Sequence, residues 1–166
     1  MHSLIIFVAK YFFVLSVVLV GAYWLRAKMP VKIGLLARLI VGGVLAVLLA
    51  VLAGHLHYDT RPFVTQHLVP LIPHAADNGF PSDHALFTAF LGFTMLLYSR
   101  ALGAVLLLIA VLVGAARVAA HIHNPQDIVA SFVIAALSVA IIEIAFRLWD
   151  RRGHGHATSH SATANP

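Results

Sequence analysis

The sequence predicts an all-α protein, a polytopic membrane bundle of about five transmembrane helices. Of its 166 residues, 61% are hydrophobic and only 10% are charged, and the mean hydropathy is +0.93. Soluble domains carry about 25% charged residues and fewer apolar ones. The apolar residues also fall in runs of about 20, the length that a helix needs to cross a bilayer. We therefore expect a chain whose main partner is the lipid bilayer.

Five apolar runs define the predicted helices. The runs 4–24 and 35–54 are long enough to span, and Lys10 and Arg38 lie where their side chains can extend towards the head groups. The runs 83–98 and 102–120 are separated by a short link, which predicts an antiparallel pair, and the last run is 125–149. The third run is short for a bilayer crossing. Either its site is recessed below the head groups, or its predicted bounds are in error.

The first run differs from a signal peptide in two ways. It is longer than an ordinary apolar signal region, and its flanking charges, Arg26, Lys28 and Lys32, follow it instead of preceding it. We therefore expect an uncleaved first helix.

Basic residues set the predicted orientation. They cluster after the first helix, in the link after the third and at the end of the fifth: Arg26, Lys28, Lys32, Arg38, Arg100, Arg147, Arg151 and Arg152. The positive-inside rule makes that side cytoplasmic. The N-terminus, the loop 55–81 and the turn around His123 then lie outside, and the C-terminus is cytoplasmic. Because the basic residues form no single patch, the net charge of +5 gives no reason to expect nucleic acid as a partner.

We expect one membrane-embedded domain, 1–152, followed by a polar tail, 153–166. The tail contains His154, His156 and His160 among few apolar residues, so disorder is a simpler expectation for it than a metal site. The chain has no cysteine, which excludes thiol catalysis, thiolate metal sites and disulfides.

The segment 80–84, with the sequence FPSDH, begins the third predicted helix. Ser82 is a favourable N-cap residue, and the first turn of a helix offers an anion free N–H groups and the positive end of the helix dipole. His84 lies at the same helix end, and the ordinary histidine pKa of about 6.5 suits a general acid and base. Taken alone, the segment could merely start a helix.

The segment 117–127 adds a second reactive group. Asn124 can cap the last helix, with Pro125 at its first position and Asp127 in its first turn. His123 then lies just before the helix. Asp127 can accept a hydrogen bond from one ring nitrogen of His123 and leave the other as a nucleophile.

Two arginines complete the predicted site. A guanidinium near lipid, as at Arg61 and Arg117, is unfavourable unless it serves an anion or a pore. Two such groups and a helix N-terminus can hold the three equatorial oxygens of a phosphoryl group during transfer. We expect metal-free chemistry without a cofactor, because further ligands at the spacing of a zinc site are missing. The other histidines near this end are expected to be plain interfacial residues: His55, His57, His67, His74 and His121.

These segments resemble the three signatures of the type-2 phosphatidic acid phosphatase superfamily. They are RP at 61–62, PSDH at 81–84, and an arginine, a histidine and an aspartate within 117–127. The resemblance implies a phosphohistidine intermediate at His123, with His84 as the acid and base.

The same resemblance assigns the supporting roles. It implies that Asp127 orients the nucleophile, and that the phosphate is bound by Arg61, Ser82 and Arg117.

Two departures from the superfamily pattern point to one branch. Gly54 stands where the family commonly has a lysine, and Asp83 where it commonly has glycine, so Asp83 is a possible accessory residue near the phosphate. With the segments 61–64, 71–77 and 80–84, the chain is similar to the bacitracin-resistance type of undecaprenyl-diphosphatase. That resemblance implies a polyprenyl diphosphate substrate, a role in cell-wall lipid recycling, and a site on the extracytoplasmic face of the bacterial inner membrane.

Two alternatives remain open. The first is a phosphatase or phosphotransferase for another lipid, such as phosphatidic acid, phosphatidylglycerol phosphate or a lipid A phosphate. The second is a non-enzymatic resistance or transport protein. Aromatic and methionine side chains on the third helix could accept an apolar chain or simply pack in the bundle: Phe87, Phe90, Phe93 and Met95.

Overall fold

The computed structural model describes the backbone of residues 2–161 and the side chains of residues 2–151. In that part of the chain the only β-structure is one isolated bridge between Thr60 and Asn78. The helices, in chain order, are α1 (His2–Arg26), α2 (Met29–Leu56), α3 (Pro62–Thr65), α4 (Asp83–Leu96), α5 (Arg100–Ala119) and α6 (Pro125–Ser161). The predicted all-α class is confirmed.

The long helices make this a multi-pass membrane protein. In the described chain, α1, α2, α5 and the part Pro125–Arg151 of α6 are long and apolar enough to cross a bilayer. Helix α4 begins at Asp83, as predicted, but ends at Leu96 after 14 residues. That is about 21 Å of helix, less than the hydrocarbon core of about 30 Å. The count of five spans and the orientation of the termini stay predictions.

Helix α4 lies at the centre of the bundle, where it contacts α1, α2, α5 and α6. Most of its side chains are buried, including the fully buried Thr88 and the nearly fully buried Thr94. The short helix is therefore surrounded mainly by protein instead of lipid, and its N-terminus is held inside the fold.

Helices α4 and α5 form the predicted antiparallel pair. The Ser99 hydroxyl accepts a hydrogen bond from the backbone N–H of Leu102 at 3.3 Å and caps α5. A Cβ on Gly103 would lie 2.7 Å from the backbone nitrogen of Leu96. Glycine is needed at this position because the two backbones approach so closely.

Helix α6 continues past the predicted end at 149 to Ser161. The predicted bounds 125–149 describe the apolar span and come close to the part Pro125–Arg151 that could cross a bilayer, because hydropathy marks where a helix leaves the lipid and not where its backbone hydrogen bonds stop. The helix includes the first part of the tail predicted to be disordered, 153–166. Residues 162–166 lie outside the described residues, and the division into a domain and a tail stays a prediction.

A charged cluster joins two helices and a turn at the end of the bundle away from Gly54. Arg38 Nε lies 2.8 Å from Glu143 Oε2, and Arg147 Nε lies 2.7 Å from Glu143 Oε1. Arg38 also donates to the Tyr98 hydroxyl at 3.3 Å. Arg38, which the sequence places near the head groups, thus ties α2 to α6 and to the turn after α4.

Candidate active site

Three connections meet at the N-terminal ends of α4 and α6. The backbone N–H of Leu71 donates to the Ala120 carbonyl at 3.2 Å, and Gly79 N–H donates to the Asp59 carbonyl at 2.8 Å. These bonds fasten the loop before α4 to the connection after α2 and to the turn between α5 and α6. Segments that are far apart in sequence thus form one wall.

Asn78 fixes the loop over the end of α2. Its Oδ1 accepts from the backbone N–H groups of Asp59 and Phe80 at 2.9 and 3.0 Å. Its Nδ2 donates to the carbonyls of Gly54 and His57 at 2.9 and 3.1 Å. With four hydrogen bonds, the amide is close to its full capacity, so this part of the loop is held firmly.

A cavity of about 610 Å³ opens at this wall. Several site residues predicted from the sequence line it: Arg61, Asp83, His84, Arg117 and His123. Ser82 and Asp127 are not among the lining residues, and both are fully buried. The fold thus brings all the predicted residues to one place, with two of them behind the cavity wall.

The surroundings of the His123 ring select its tautomer. Nδ1 lies 2.9 Å from the Gly79 carbonyl and 3.2 Å from Asp127 Oδ2. Both partners are acceptors, so Nδ1 carries the proton and donates. Nε2 faces Arg117 Nη2 at 3.3 Å, and a guanidinium can only donate. The lone pair of Nε2 is therefore the nucleophilic one.

Burial and nearby positive charge keep this imidazole neutral. The ring is only 3% exposed, and burial, followed by the charges of Arg117 and Arg61, lowers the pKa of His123 to about 3. A neutral ring retains its nucleophilic lone pair throughout the physiological pH range.

Arg117 and Arg61 differ in how many of their guanidinium N–H groups already donate hydrogen bonds within the protein. Arg117 makes a long bond to the Ala9 carbonyl at 3.4 Å besides its contact with His123, and its Nε has no partner among the described residues. Arg61 donates to Asp77 Oδ1 and to the Ile122 carbonyl, both at 2.8 Å. It also donates to the Asn78 carbonyl at 3.2 Å. Each guanidinium still has N–H groups to offer an anion.

Ser82 is the N-cap residue of α4, as predicted, but its hydroxyl caps nothing. Ser82 Oγ is buried and has no hydrogen-bond partner among the described residues. The backbone N–H of Ser82 instead donates to Ser131 Oγ at 3.0 Å. Ser131 Oγ lies 2.9 Å from the Ser82 carbonyl and 2.7 Å from the Asp127 carbonyl, so one hydroxyl joins the starts of α4 and α6.

His84 and Asp83 lie side by side at the start of α4. The His84 ring packs edge-on against Phe13 of α1, with ring centroids 5.2 Å apart. Asp83 is exposed and has no hydrogen-bond partner among the described residues. Its charge is near enough to the site to counteract part of the pKa lowering at His123. Both side chains are open to a bound ligand.

Asn124 was expected to cap α6, but its side chain bonds to the connection after α2 instead. Its Nδ2 donates to Asp59 Oδ2 at 3.0 Å and to the Thr60 carbonyl at 3.2 Å. The carboxylate of Asp127 instead bonds the backbone at the start of α6, because Asp127 Oδ2 accepts from the backbone N–H of Asn124 at 2.8 Å. Asp127 thus binds the turn and the nucleophile together.

With this geometry established, comparison with known proteins identifies the family. The sequence profile of the PAP2 superfamily matches residues 32–151. The chain belongs to the PAP2 superfamily. That range contains most of α2, all of α4 and α5, most of α6 and every site residue that the sequence predicts.

Two PAP2 relatives are similar over most of the chain. Undecaprenyl-diphosphatase BcrC of Bacillus subtilis (strain 168) is 30% identical over 137 residues, which are 82% of this chain and 70% of that protein. The bacitracin transport permease protein BcrC of Bacillus licheniformis is 28% identical over 143 residues, 86% of this chain and 70% of that protein. The resemblance to this branch is confirmed.

A solved structure has the same fold. The crystal structure of Aquifex aeolicus LpxE superposes with a TM-score of 0.57 at 20% sequence identity, covering 77% of this chain and 84% of that one. At this identity the likeness concerns the fold alone.

Several groups in this PAP2 site were not predicted. The Gly79 carbonyl and Ser131 carry no motif signal, because a backbone oxygen is present at every residue and serine is common in membrane helices. Asp77 and Asn78 lie within the segment 71–77 and just after it, so the branch resemblance did point to this loop. His74, expected to be a plain interfacial residue, lines the cavity.

Proposed function

We propose that this PAP2 enzyme removes the terminal phosphate of undecaprenyl diphosphate through a phosphohistidine on His123. The observation that carries the chemistry is the His123 ring, whose protonated Nδ1 is held by two acceptors while Nε2 faces a guanidinium in the cavity. The choice of substrate is supported by relatives that are named undecaprenyl-diphosphatase. The released undecaprenyl phosphate would re-enter cell-wall assembly.

In the first step His123 Nε2 attacks the terminal phosphorus. A P–N bond forms, the bond to the bridging oxygen breaks, and undecaprenyl phosphate leaves with that oxygen. Arg61 and Arg117 stabilise the equatorial oxygens in this step, whereas the Ser82 hydroxyl, which the resemblance assigns to phosphate binding, lies behind the cavity wall. His84, which also lines the cavity, donates a proton to the departing phosphate.

In the second step water replaces the leaving group. His84, now deprotonated, accepts a proton from the water as its oxygen attacks phosphorus. The P–N bond breaks, inorganic phosphate leaves, and His123 regains its lone pair. Asp127 and the Gly79 carbonyl hold the proton on Nδ1 in both steps, which stabilises the positive charge of the phosphorylated ring.

A second cavity supports a lipid substrate. It has a volume of about 740 Å³, lies between α1, α2 and α4, and shares Val47, Asp83 and Leu86 with the cavity at His123. Apart from Asp83 its walls are apolar or aromatic, and we call it the lipid groove. An apolar chain in the groove would place its diphosphate beside the nucleophile.

Of the α4 side chains that the sequence offers for contact with an apolar chain, only some face the lipid groove in the structure. Phe87 and Phe90 line the lipid groove, as the sequence suggested. Met95 is instead fully buried in the core, and Phe93 packs on Phe132 with ring centroids 6.4 Å apart. Helices α1 and α2 supply the rest of the groove.

We place the enzyme in the bacterial inner membrane with its site on the extracytoplasmic face. The support is the distribution of basic residues. Lys28 and Lys32 lie in or next to the connection between α1 and α2, and Arg100 starts α5, all at the end of the bundle away from His123.

The deciding experiment is phosphate release from undecaprenyl diphosphate by detergent-purified protein in excess chelator. The wild type is compared with His123→Ala, and phosphatidic acid is a second substrate. We expect release from the diphosphate that resists chelation and disappears in the variant. Loss of activity in chelator would exclude the metal-free mechanism. Turnover of phosphatidic acid alone would keep the chemistry and reject the cell-wall substrate.

Transport is a second candidate, which the name of the Bacillus licheniformis relative favours. Bacitracin survival of cells that express His123→Ala separates the two. A transporter would still protect in the absence of the nucleophile, whereas a phosphatase would not.

A further inference from the structure

His74 is a loop residue that lies unexpectedly close to the nucleophile. Its side chain is exposed, lines the cavity at His123, and has a ring centroid 6.3 Å from that of His123. Among the described residues the His74 ring has no hydrogen-bond partner. Its ring nitrogens are therefore available to a ligand in the cavity.

The loop holds His74 from both sides. On one side the Leu71 N–H donates to the Ala120 carbonyl at 3.2 Å, and Ile72 is buried with Ala120 and Ile122. On the other side Asp77 accepts from Arg61 Nε at 2.8 Å, and this bond lowers the pKa of the Asp77 carboxyl. His74 lies midway between the two anchors, so the loop positions it over the site.

Charges around His74 favour an anion beside it. Burial lowers the pKa of His74, and so do the charges of Arg61 and Arg117, while Asp77 acts in the opposite direction. The free enzyme thus holds a neutral imidazole beside two guanidinium groups. A bound phosphate would cancel that repulsion and give the ring N–H an acceptor.

Among the described residues, the α2 side of the cavity includes no lysine or arginine. Gly54, at the end of α2, also lines the cavity. A Cβ on Gly54 would lie 3.0 Å from the Phe80 carbonyl oxygen, and the Gly54 carbonyl is bonded to Asn78. A long basic side chain at this position would have to displace the loop, so a further donor has to come from elsewhere.

We propose that His74 binds the terminal phosphoryl group, donating a ring N–H to one of its non-bridging oxygens while phosphorus is at or near His123 Nε2. The loop before α4 thus provides the contact that α2 cannot. The inference rests on the proposed function only in taking a phosphoryl group as the species bound at His123, and it holds for any phosphorylated substrate.

Orthovanadate, a tetrahedral oxyanion that can expand to the five-coordinate geometry of phosphoryl transfer, is the probe. Its affinity is measured from the rise in Tm of the detergent-purified full chain, a readout that requires no turnover. We expect His74→Ala to weaken orthovanadate binding about tenfold or more, the usual effect of losing one hydrogen bond to a charged group. His74→Gln retains a side-chain N–H and should recover most of the affinity.

His55→Ala is the matched control. His55 lines the same cavity, but its Nδ1 lies 2.7 Å from the Val51 carbonyl of its own helix, so its loss should leave orthovanadate affinity unchanged. The inference is overturned if His74→Ala binds as tightly as the wild type, or if His74→Gln binds as weakly as His74→Ala. If orthovanadate binding depends on His74 but the wild type does not hydrolyse undecaprenyl diphosphate, the proposed function fails and this inference stands.

Discussion

Two acceptors share the Nδ1 proton of His123, and the nearer one is a backbone carbonyl. The Gly79 oxygen lies at 2.9 Å and the Asp127 carboxylate at 3.2 Å. A carbonyl can fix the direction of the ring, but only the carboxylate adds a negative charge that stabilises a positively charged imidazole. Orientation and charge stabilisation therefore come from different groups, and mutation can separate them.

Asp127→Asn should retain part of the activity. The side chain is fully buried and asparagine is nearly isosteric, so the fold and the Gly79 contact should remain. We expect kcat to fall about tenfold to a hundredfold, the cost of one charge-assisted hydrogen bond, with KM nearly unchanged. Steady-state kinetics alongside His123→Ala test this. A variant as inactive as His123→Ala would show that the Gly79 carbonyl cannot orient the ring alone.

The His123 ring should not titrate between pH 5 and pH 8. Its pKa is lowered to about 3, so it binds a proton only well below this range and its lone pair stays free. An acid-side loss of kcat/KM within the range must then come from substrate or from another group. NMR of ¹⁵N-histidine-labelled protein in detergent measures this, with His123→Gln to assign the signal. A His123 midpoint near pH 6 would contradict the neutral nucleophile.

The sequence singled out the residues that the fold brings together at the cavity wherever their types carry unusual chemistry, while their roles stay predictions. Arginine in an apolar chain and a histidine four residues before an aspartate stand out against lipid-facing residues. His74 did not, because a loop histidine looks the same whether it faces solvent or a cavity. Its position depends on the bonds of Leu71 and Asp77 to distant residues, and these exist only in the folded chain.

At the scale of single helices, the shortness of α4 has a consequence for the substrate. Since protein surrounds most of it, the polar end of α4 can lie inside the bundle without exposing charged groups to lipid. Its face towards α1 and α2 borders the lipid groove instead. The same helix therefore presents its N-terminus to a phosphate and its side to an apolar chain.

Phe87→Ser should weaken binding of long-chain substrates selectively. Phe87 is 42% exposed in the lipid groove, so the change removes apolar contact with little effect on the core. We expect KM for undecaprenyl diphosphate to rise about tenfold, since burying an aromatic side chain contributes roughly 1.5–3 kcal/mol. A short soluble prenyl diphosphate should be unaffected. Val18→Ser, which replaces a lipid-facing residue outside the groove, is the control, and equal effects on both substrates would argue against the groove.

Each predicted apolar run falls within one of the long elements or overlaps it, in the predicted order, although the number of spans stays a prediction and the ends of the runs were less accurate. Helix α2 begins at Met29, with Pro30 in its first turn, ahead of the predicted start at 35. Apolar runs mark the length in lipid, whereas a helix can extend into water at either end. The short helix α3 was missed because four residues are too few for any periodic pattern.

Taken as a whole molecule, the chain places its reactive groups at one end and most of its basic residues at the other. Consecutive helices α4 and α5 are antiparallel, and short turns return the chain, so the starts of α4 and α6 meet at the same end. This agrees with the predicted extracytoplasmic site but does not itself fix which end faces outward.

Single cysteines can establish the orientation, because the native chain has none. Val69 in the loop before α4 is 86% exposed, and Met29 at the opposite turn is 65% exposed. We expect a membrane-impermeant thiol reagent to label Val69→Cys in intact spheroplasts and Met29→Cys only after lysis. The reverse pattern would place the site in the cytoplasm.

The hydroxyl of Ser131 determines which parts of the molecule can move apart. It bonds to the backbone of Ser82 and of Asp127, and all three residues are fully buried, so separating α4 from α6 would leave the buried N–H of Ser82 unpaired, at about 1–3 kcal/mol. Small movements of the helices should therefore leave the contact between the starts of α4 and α6 intact. If a lipid enters sideways from the bilayer, its route then has to lie on the side of α1 and α2, while His123 and the start of α4 stay together as a rigid pair.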